Sequence, residues 1–175
     1  MKSFILFFLV SFSTVIFSQE KKEFKTGVKL IEKEIISKHQ LPKTILFEFS
    51  GDSHLIYFYK NLSKKIKKRF KKNGIKTAFN YNLKEASLKE DIKEIPTKKH
   101  SSENYNQLCK IEIDNFKNFN NYKIKERKQK FNLDFNFIEN NKIVLKGTMQ
   151  VSTNNTIITE NKKISKELYH LLISK

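Results

Sequence analysis

The chain has 175 residues, of which 35 are basic and 18 acidic, and its formal net charge is +17. This length allows one domain and excludes both a closed α/β barrel and a dinucleotide-binding enzyme with a separate substrate domain. Of the basic residues 33 are Lys, and Lys, Ile, Asn, Phe and Tyr together make up more than half of the chain. Because their codons are rich in A and T, this composition indicates an AT-rich genome before it indicates a nucleic-acid binder.

The amino terminus has the pattern of an export signal. Lys2 precedes an apolar run over residues 4–17, and the small residue Ser18 follows it. This order is typical of a secretory signal peptide, and the run is shorter than the roughly 20 residues of a membrane-spanning helix. We expect residues 1–18 to be removed, with an uncleaved anchor as the alternative, and the mature protein to be periplasmic or secreted. No Cys lies near this junction, so a lipid anchor is not expected.

Residues 19–42 are predicted to form a charged, partly helical segment, and residues 43–175 a single α+β domain. In the first segment Val28, Ile31 and Ile35 have helical spacing, and Pro42 ends the pattern. The domain begins with a strand over residues 43–50, in which apolar and polar residues alternate. Gly51-Asp52-Ser53 follows as a turn and a helix cap.

A helix is predicted from His54 to the Asn73-Gly74 pair, which is typical of a helix end. Its apolar positions recur every three or four residues and form one stripe: Leu55, Tyr59, Leu62, Ile66 and Phe70. A second strand over residues 75–82 completes a β-α-β unit. The polar residues 83–103 are expected to be a mobile excursion with one helical turn at most.

Three strands are predicted next, over residues 105–116, 122–138 and 142–152. Apolar residues alternate with polar ones from Phe131 to Phe137, and Asn140-Asn141 is a hairpin signal because Asn tolerates positive φ. An amphipathic helix over residues 160–174 closes the chain. Each helix has one apolar stripe, so we expect a two-layer sandwich with one mixed sheet and both helices packed on one face.

This order resembles a class of small bacterial envelope modules, namely the amino-terminal domain of TolB and the small assembly lipoproteins of the outer membrane. The resemblance is carried by the Gly51-Asp52 turn, the Asn73-Gly74 helix end and the hairpin that runs from Asn140 to Gly147. The chain departs from that class in lacking a lipobox Cys and in having Val144 or Leu145 where an aromatic residue is common. The resemblance implies a non-enzymatic envelope role and transfers no functional residues.

The residues of catalytic type do not combine into a site. Asp52-Ser53-His54 has the residue types of a hydrolase triad, but consecutive side chains at a helix start diverge, and capping is the better interpretation. Cys109 is the only cysteine, so no intramolecular disulfide can form, and it is in phase with Ile111 in a predicted strand, which indicates a buried core position. The four His are far apart, and the acidic residues at 85–94 alternate with Lys. We therefore expect no enzyme, no cofactor and no metal site.

The strongest functional candidate is the basic end of the first helix. Seven cations occupy nine positions, and no acidic residue occurs between Asp52 and Glu85. The candidate residues for binding an anionic surface are Lys64, Lys65, Lys67, Lys68, Arg69, Lys71 and Lys72. The alternative is a solvated face in a Lys-rich protein. Nucleic acid is disfavoured as a partner, because Arg is the side chain that forms bidentate hydrogen bonds to bases and phosphates and the chain has only two Arg in 175 residues.

The sequence thus favours two functions. The first is an exported, non-enzymatic envelope protein that binds a protein partner or assists envelope assembly. The second is a cationic binder of anionic lipid or glycan through the basic helix. The oligomeric state is left open.

Overall fold

Six strands and two helices form the part of the chain that the structure, a computed structural model, describes: residues 25–38, 40–84, 99–121, 126–154 and 156–173. The strands are β1 (Gly27–Ile35), β2 (Thr44–Asp52), β3 (Lys76–Lys84), β4 (Gln107–Asn121), β5 (Glu126–Glu139) and β6 (Lys142–Thr153). The helices are α1 (Ile56–Lys72) and α2 (Asn161–Ile173). The predicted signal peptide and most of the polar excursion lie outside the described residues and stay predictions.

All six strands belong to one mixed sheet with the order β1-β6-β5-β4-β2-β3. Strand β2 pairs in parallel with β3 and β4, and the other pairs are antiparallel. Apolar side chains of both helices join the inward residues of the strands in a single hydrophobic core. The helices therefore cover one face of the sheet, which confirms the predicted α+β sandwich.

Helix α1 begins and ends where local sequence signals predict. Asp52 Oδ1 accepts a hydrogen bond of 2.8 Å from the backbone N–H of His54, and this caps a single 3₁₀ turn that leads into α1. At the other end Gly74 has φ 75°, a left-handed conformation that suits glycine. The Tyr59 hydroxyl donates to the Ser50 carbonyl oxygen at 2.7 Å. This hydrogen bond ties the first half of α1 to the end of β2.

The hairpin and the closing helix also agree with the prediction. Asn140 and Asn141 have φ of 50° and 61° between β5 and β6, as a tight turn of this kind requires. The alternating apolar residues of β5, from Phe131 to Phe137, are buried against the helices. In α2 the predicted apolar stripe is buried as well: Ile164, Leu168, Leu171 and Leu172.

The prediction of helix in the segment 19–42 was wrong over Gly27–Ile35, which forms edge strand β1. This strand pairs antiparallel with β6, from Gly27 opposite Ser152 to Ile35 opposite Leu145. An irregularity between Leu30 and Glu32 shifts the alternation, which explains why the apolar residues looked helical in spacing. The sheet therefore begins before residue 43.

Candidate anionic-surface binding site

The seven candidate cations lie in the last three turns of α1, on the side that faces away from the sheet. The six Lys side chains are exposed, whereas Arg69 is partly buried. Between them Ile66 and Phe70 are completely buried in the core. Because the apolar stripe packs on the sheet, it cannot also insert into a membrane while the fold is intact. Any binding by this helix therefore depends on its charged outer face.

The positive charge of this face is uncompensated within the described chain. None of the seven cations forms an ion pair with a described carboxylate; the ion pairs found elsewhere include Lys146 with Glu34, at 2.8 Å. Cations in the last turn do interact favourably with the negative end of the helix dipole. That interaction accounts for Arg69, Lys71 and Lys72, but not for the cations one and two turns earlier.

Arg69 differs from the lysines around it. Its Nε is shielded from solvent and has no hydrogen-bond partner among the described residues. A buried N–H group without a partner costs about 1–3 kcal/mol. Because Nε is shielded, an anion outside the fold could bind only the terminal N–H groups of this guanidinium, a group that suits phosphate and carboxylate geometry.

Three further residues extend the candidate surface, and sequence reasoning did not select them. The side chain of Tyr57 is 79% exposed and lies seven residues before Lys64, hence on the same side of α1. Lys162 and Lys166 are exposed on α2, which packs beside α1. Helical periodicity was a sufficient signal for Tyr57. No sequence signal pointed to the α2 lysines, because only tertiary packing places them next to α1.

Asp52 and Cys109 both occupy structural positions. Asp52 caps the turn before α1, as predicted, and its carboxylate oxygen bonds the backbone of His54 rather than the imidazole ring. Cys109 is completely buried in β4, which confirms its predicted core position. Burial raises the pKa of its thiol, so the nucleophilic thiolate is suppressed.

We predict that Cys109 of the folded protein does not react with a disulfide thiol reagent near neutral pH. No part of the side chain is exposed, and burial raises its pKa. In urea the thiol becomes accessible and its pKa returns to about 8.5, so one thiol per chain reacts. The absorbance of the thiolate that the reagent releases measures how many protein thiols react, with and without urea. The variant Tyr57→Cys is the control, because its added surface thiol reacts without urea. Rapid labelling of the native wild-type chain would contradict the burial of Cys109.

Two kinds of feature are absent from the residues that the structure describes. No group of three or more His, Cys, Asp or Glu in these residues could hold a metal ion. Within the same ranges no helix is both long and apolar enough to cross a membrane. The acidic residues of the polar excursion, Glu85, Glu90, Asp91 and Glu94, lie outside the described residues.

Two open grooves lie away from the helices. The larger, about 600 Å³, follows the irregularity of β1 and is lined by Glu32, Glu34, Asp134, Lys146 and Thr148 among others. Thr148 donates a hydrogen bond of 2.5 Å to Asp134 there. A second groove of about 360 Å³ lies beside the Asn140-Asn141 hairpin. Neither groove adjoins the basic end of α1.

No family model matches this chain, and no curated protein matches it. Among solved structures it is similar to the PelC dodecamer from Paraburkholderia phytofirmans, with 10% identity and a TM-score of 0.48 over 86% of this chain and 99% of that chain. It is also similar to a minor lipoprotein from Acinetobacter baumannii, with 15% identity and a TM-score of 0.33 over 75% of this chain and 81% of that chain. Lipoprotein GNA1162 from Neisseria meningitidis has 12% identity and a TM-score of 0.39 over 74% of this chain and 94% of that chain. Bacterial lipoproteins are thus among the similar structures, but such low identities and TM-scores assign no function.

Proposed function

We propose that this chain is an exported, non-enzymatic protein of the bacterial cell envelope that binds an anionic surface, lipid or glycan, through the basic face of α1. The observation that carries the proposal is that all six Lys from Lys64 to Lys72 are exposed and none forms an ion pair with a described carboxylate. The export signal predicted for residues 1–18 supports a location outside the cytoplasm.

The binding energy would be electrostatic. The stripe from Tyr59 to Phe70 is committed to the core, so it contributes nothing to contact with a partner. Each Lys near an anionic membrane contributes about 1 kcal/mol. Such attraction is screened within about 10 Å at 0.1 M salt, so binding should fall steeply as salt rises.

The test is co-sedimentation of the mature protein with vesicles made of equal parts phosphatidylcholine and phosphatidylglycerol. We expect binding at about 20 mM salt and its loss at about 500 mM, because the Debye length shortens several-fold. Replacing Lys64, Lys65, Lys67 and Lys68 by Gln should weaken binding at low salt by about 100-fold or more. Vesicles of phosphatidylcholine alone should not bind the wild-type chain.

A matched variant controls for net charge. Lys29, Lys76, Lys84 and Lys110 are exposed on the opposite face of the sheet, and replacing these four by Gln removes the same charge without touching α1. This variant should bind as the wild type does. Equal weakening of vesicle binding in both variants would refute a specific site on α1. The same measurement with an acidic polysaccharide in place of vesicles tests whether the anionic surface is a glycan. No binding to either probe overturns the proposal.

A protein partner is the second candidate, and the exposed edge of β1 favours it. Ile31, Ile35 and Ile36 are 40–49% exposed there, and Ile143 of the neighbouring strand β6 is 41% exposed. Large apolar residues on a free sheet edge are typical of an interaction site. In a pull-down from envelope extracts, a protein captured equally by the wild type and by the α1 variant would favour this candidate.

A further inference from the structure

Helices α1 and α2 form one continuous layer in which they run side by side in the same direction. At the start of α2, Asn161 Nδ2 donates to the Phe58 carbonyl oxygen at 3.2 Å and to Asn61 Oδ1 at 3.1 Å. Further along, the rings of Tyr169 and Phe70 meet edge to face, with centroids 5.5 Å apart. The early turns of α2 thus contact the first half of α1, and its later turns contact the end of α1.

The outer surface of this two-helix layer is basic on both helices. Together α1 and α2 contain eleven cations and one carboxylate, Glu167. On α2 the exposed cations are Lys162, Lys163 and Lys166, and Lys163 is paired with Glu160 at 2.7 Å. Lys162 and Lys166 are one turn apart and directly follow Asn161 and Ser165 in sequence, two residues buried in the helix layer. Tyr169, whose ring contacts Phe70 of α1, lies three residues after Lys166 and seven after Lys162, so both lysines lie on the side of α2 next to α1 and continue its basic face.

The opposite face of the sheet carries mixed charge. The charged groups that strand register places on this face include five carboxylates and five ammonium groups: Glu32, Glu34, Glu48, Glu112 and Asp134, and Lys29, Lys76, Lys84, Lys110 and Lys146. The net positive charge of the described chain is therefore concentrated on the helix layer. Electrostatic attraction to an anionic surface would therefore orient the molecule with the helix layer facing that surface.

Tyr57 adds an aromatic group to the same layer. Its side chain is 79% exposed, and it lies two turns before Lys64, about 10 Å along the helix axis. Tyrosine is enriched where proteins meet the headgroup region of membranes, because its ring is apolar and its hydroxyl is polar. An exposed tyrosine among lysines is therefore suited to a lipid surface.

The breadth of the layer also favours a flat partner. Helix α1 has 17 residues and is about 25 Å long, and packed helices lie about 8–10 Å apart. The cations are spread over both helices, whereas the two grooves described above lie elsewhere. A single polysaccharide chain would contact only part of this area, but a bilayer surface can contact all of it.

From this arrangement we propose that the two-helix layer binds an anionic lipid bilayer lengthwise, with Lys162 and Lys166 in contact beside the α1 cations and with Tyr57 in the headgroup region. This inference rests on the proposed function and names lipid as the anionic surface. The sheet then lies parallel to the membrane. Its mixed-charge face points away from the membrane, and the β1 edge points along the membrane surface. Both remain accessible to other molecules of the envelope.

The experiment uses tryptophan as a depth reporter, because the natural chain has no Trp. The variant Tyr57→Trp has a single reporter in the helix layer, and Lys110→Trp has one on the opposite face. Each is mixed at low salt with vesicles of phosphatidylcholine and phosphatidylglycerol, with and without bromine on the acyl chains near the headgroups. We expect at least about twofold quenching and a blue shift for Tyr57→Trp, and no change for Lys110→Trp. Replacing Lys162 and Lys166 by Gln should weaken vesicle binding about tenfold.

The outcomes separate this inference from the proposed function. If Tyr57→Trp co-sediments with vesicles but is quenched no more than Lys110→Trp, the orientation is wrong and the anionic-surface function stands. If the Lys162/Lys166 variant binds as tightly as the wild type, α2 takes no part and the two-helix contact is refuted. Binding to an acidic polysaccharide without binding to vesicles also overturns the lipid assignment. Circular dichroism of each variant shows whether the fold is intact.

Discussion

Replacing Phe47 by Ala is expected to lower the free energy of unfolding by about 3–5 kcal/mol. Phe47 lies in β2, between β3 and β4, and is completely buried. Its ring meets Phe70 of α1 edge to face at 5.4 Å and stacks on Phe79 of β3 at 5.7 Å. The substitution removes buried apolar surface and leaves a cavity where the helix layer meets the sheet. Urea unfolding followed by circular dichroism measures the loss.

An exposed aromatic residue is the control for this substitution. Tyr57→Ala removes a side chain of similar size that is 79% exposed, so its effect on stability should stay within about 0.5 kcal/mol. The two variants therefore separate burial from aromatic character. Equal losses of stability in both would show that Phe47 is not the packing centre that its contacts indicate. The same Tyr57→Ala protein also provides a folded sample for vesicle binding.

Replacing Gly147 by Ala is expected to destabilise the protein by about 3 kcal/mol, at the upper end of the cost of overpacking. A β-carbon at this position of β6 would overlap the carbonyl oxygen of Glu32 and lie 2.7 Å from the Phe135 ring. The close approach of the β1 backbone at Glu32 lies next to the irregularity of β1 between Leu30 and Glu32. The added methyl group must therefore push β1 away from β6. Hydrogen exchange of the β1 amides, together with urea unfolding, measures this separation.

Gly74→Ala is the matched control, because it changes a glycine for a different reason. Gly74 has φ 75° and no atom within 4 Å of an added β-carbon, so its cost is backbone strain of roughly 1–2 kcal/mol. The β1 amides should keep their protection in this variant. If Gly147→Ala leaves their exchange rates unchanged, the close approach of the two strands does not constrain residue 147.

The elements that could be predicted are those whose signals are local. Helix α1 has a cap, a stripe and a left-handed glycine, all within its own segment. The hairpin at Asn140-Asn141 likewise needs only two residues with positive φ. Strand β1 was predicted as helix because its apolar spacing fits both structures, and the choice depends on pairing with β6, more than 100 residues later. Local patterns contain no information about such a partner.

The candidate site divides in the same way. The cations from Lys64 to Lys72 are contiguous, so composition alone located them. Their exposure followed from the helical period, because the apolar stripe had to face the core. The order of strands in the sheet, with β2 between β3 and β4, had no sequence signal.

The sequence by itself determined the α+β class, the bounds of α1 and α2, the buried Cys109 and the basic character of one helix, because each depends on residues within a few turns of one another. Only the tertiary structure decided that β1 completes the sheet and that Lys162 and Lys166 lie beside the α1 cations. It also showed that the other face of the sheet has mixed charge. These features bring together residues that are distant in the chain, and they depend on which surfaces bury most apolar area rather than on any local pattern.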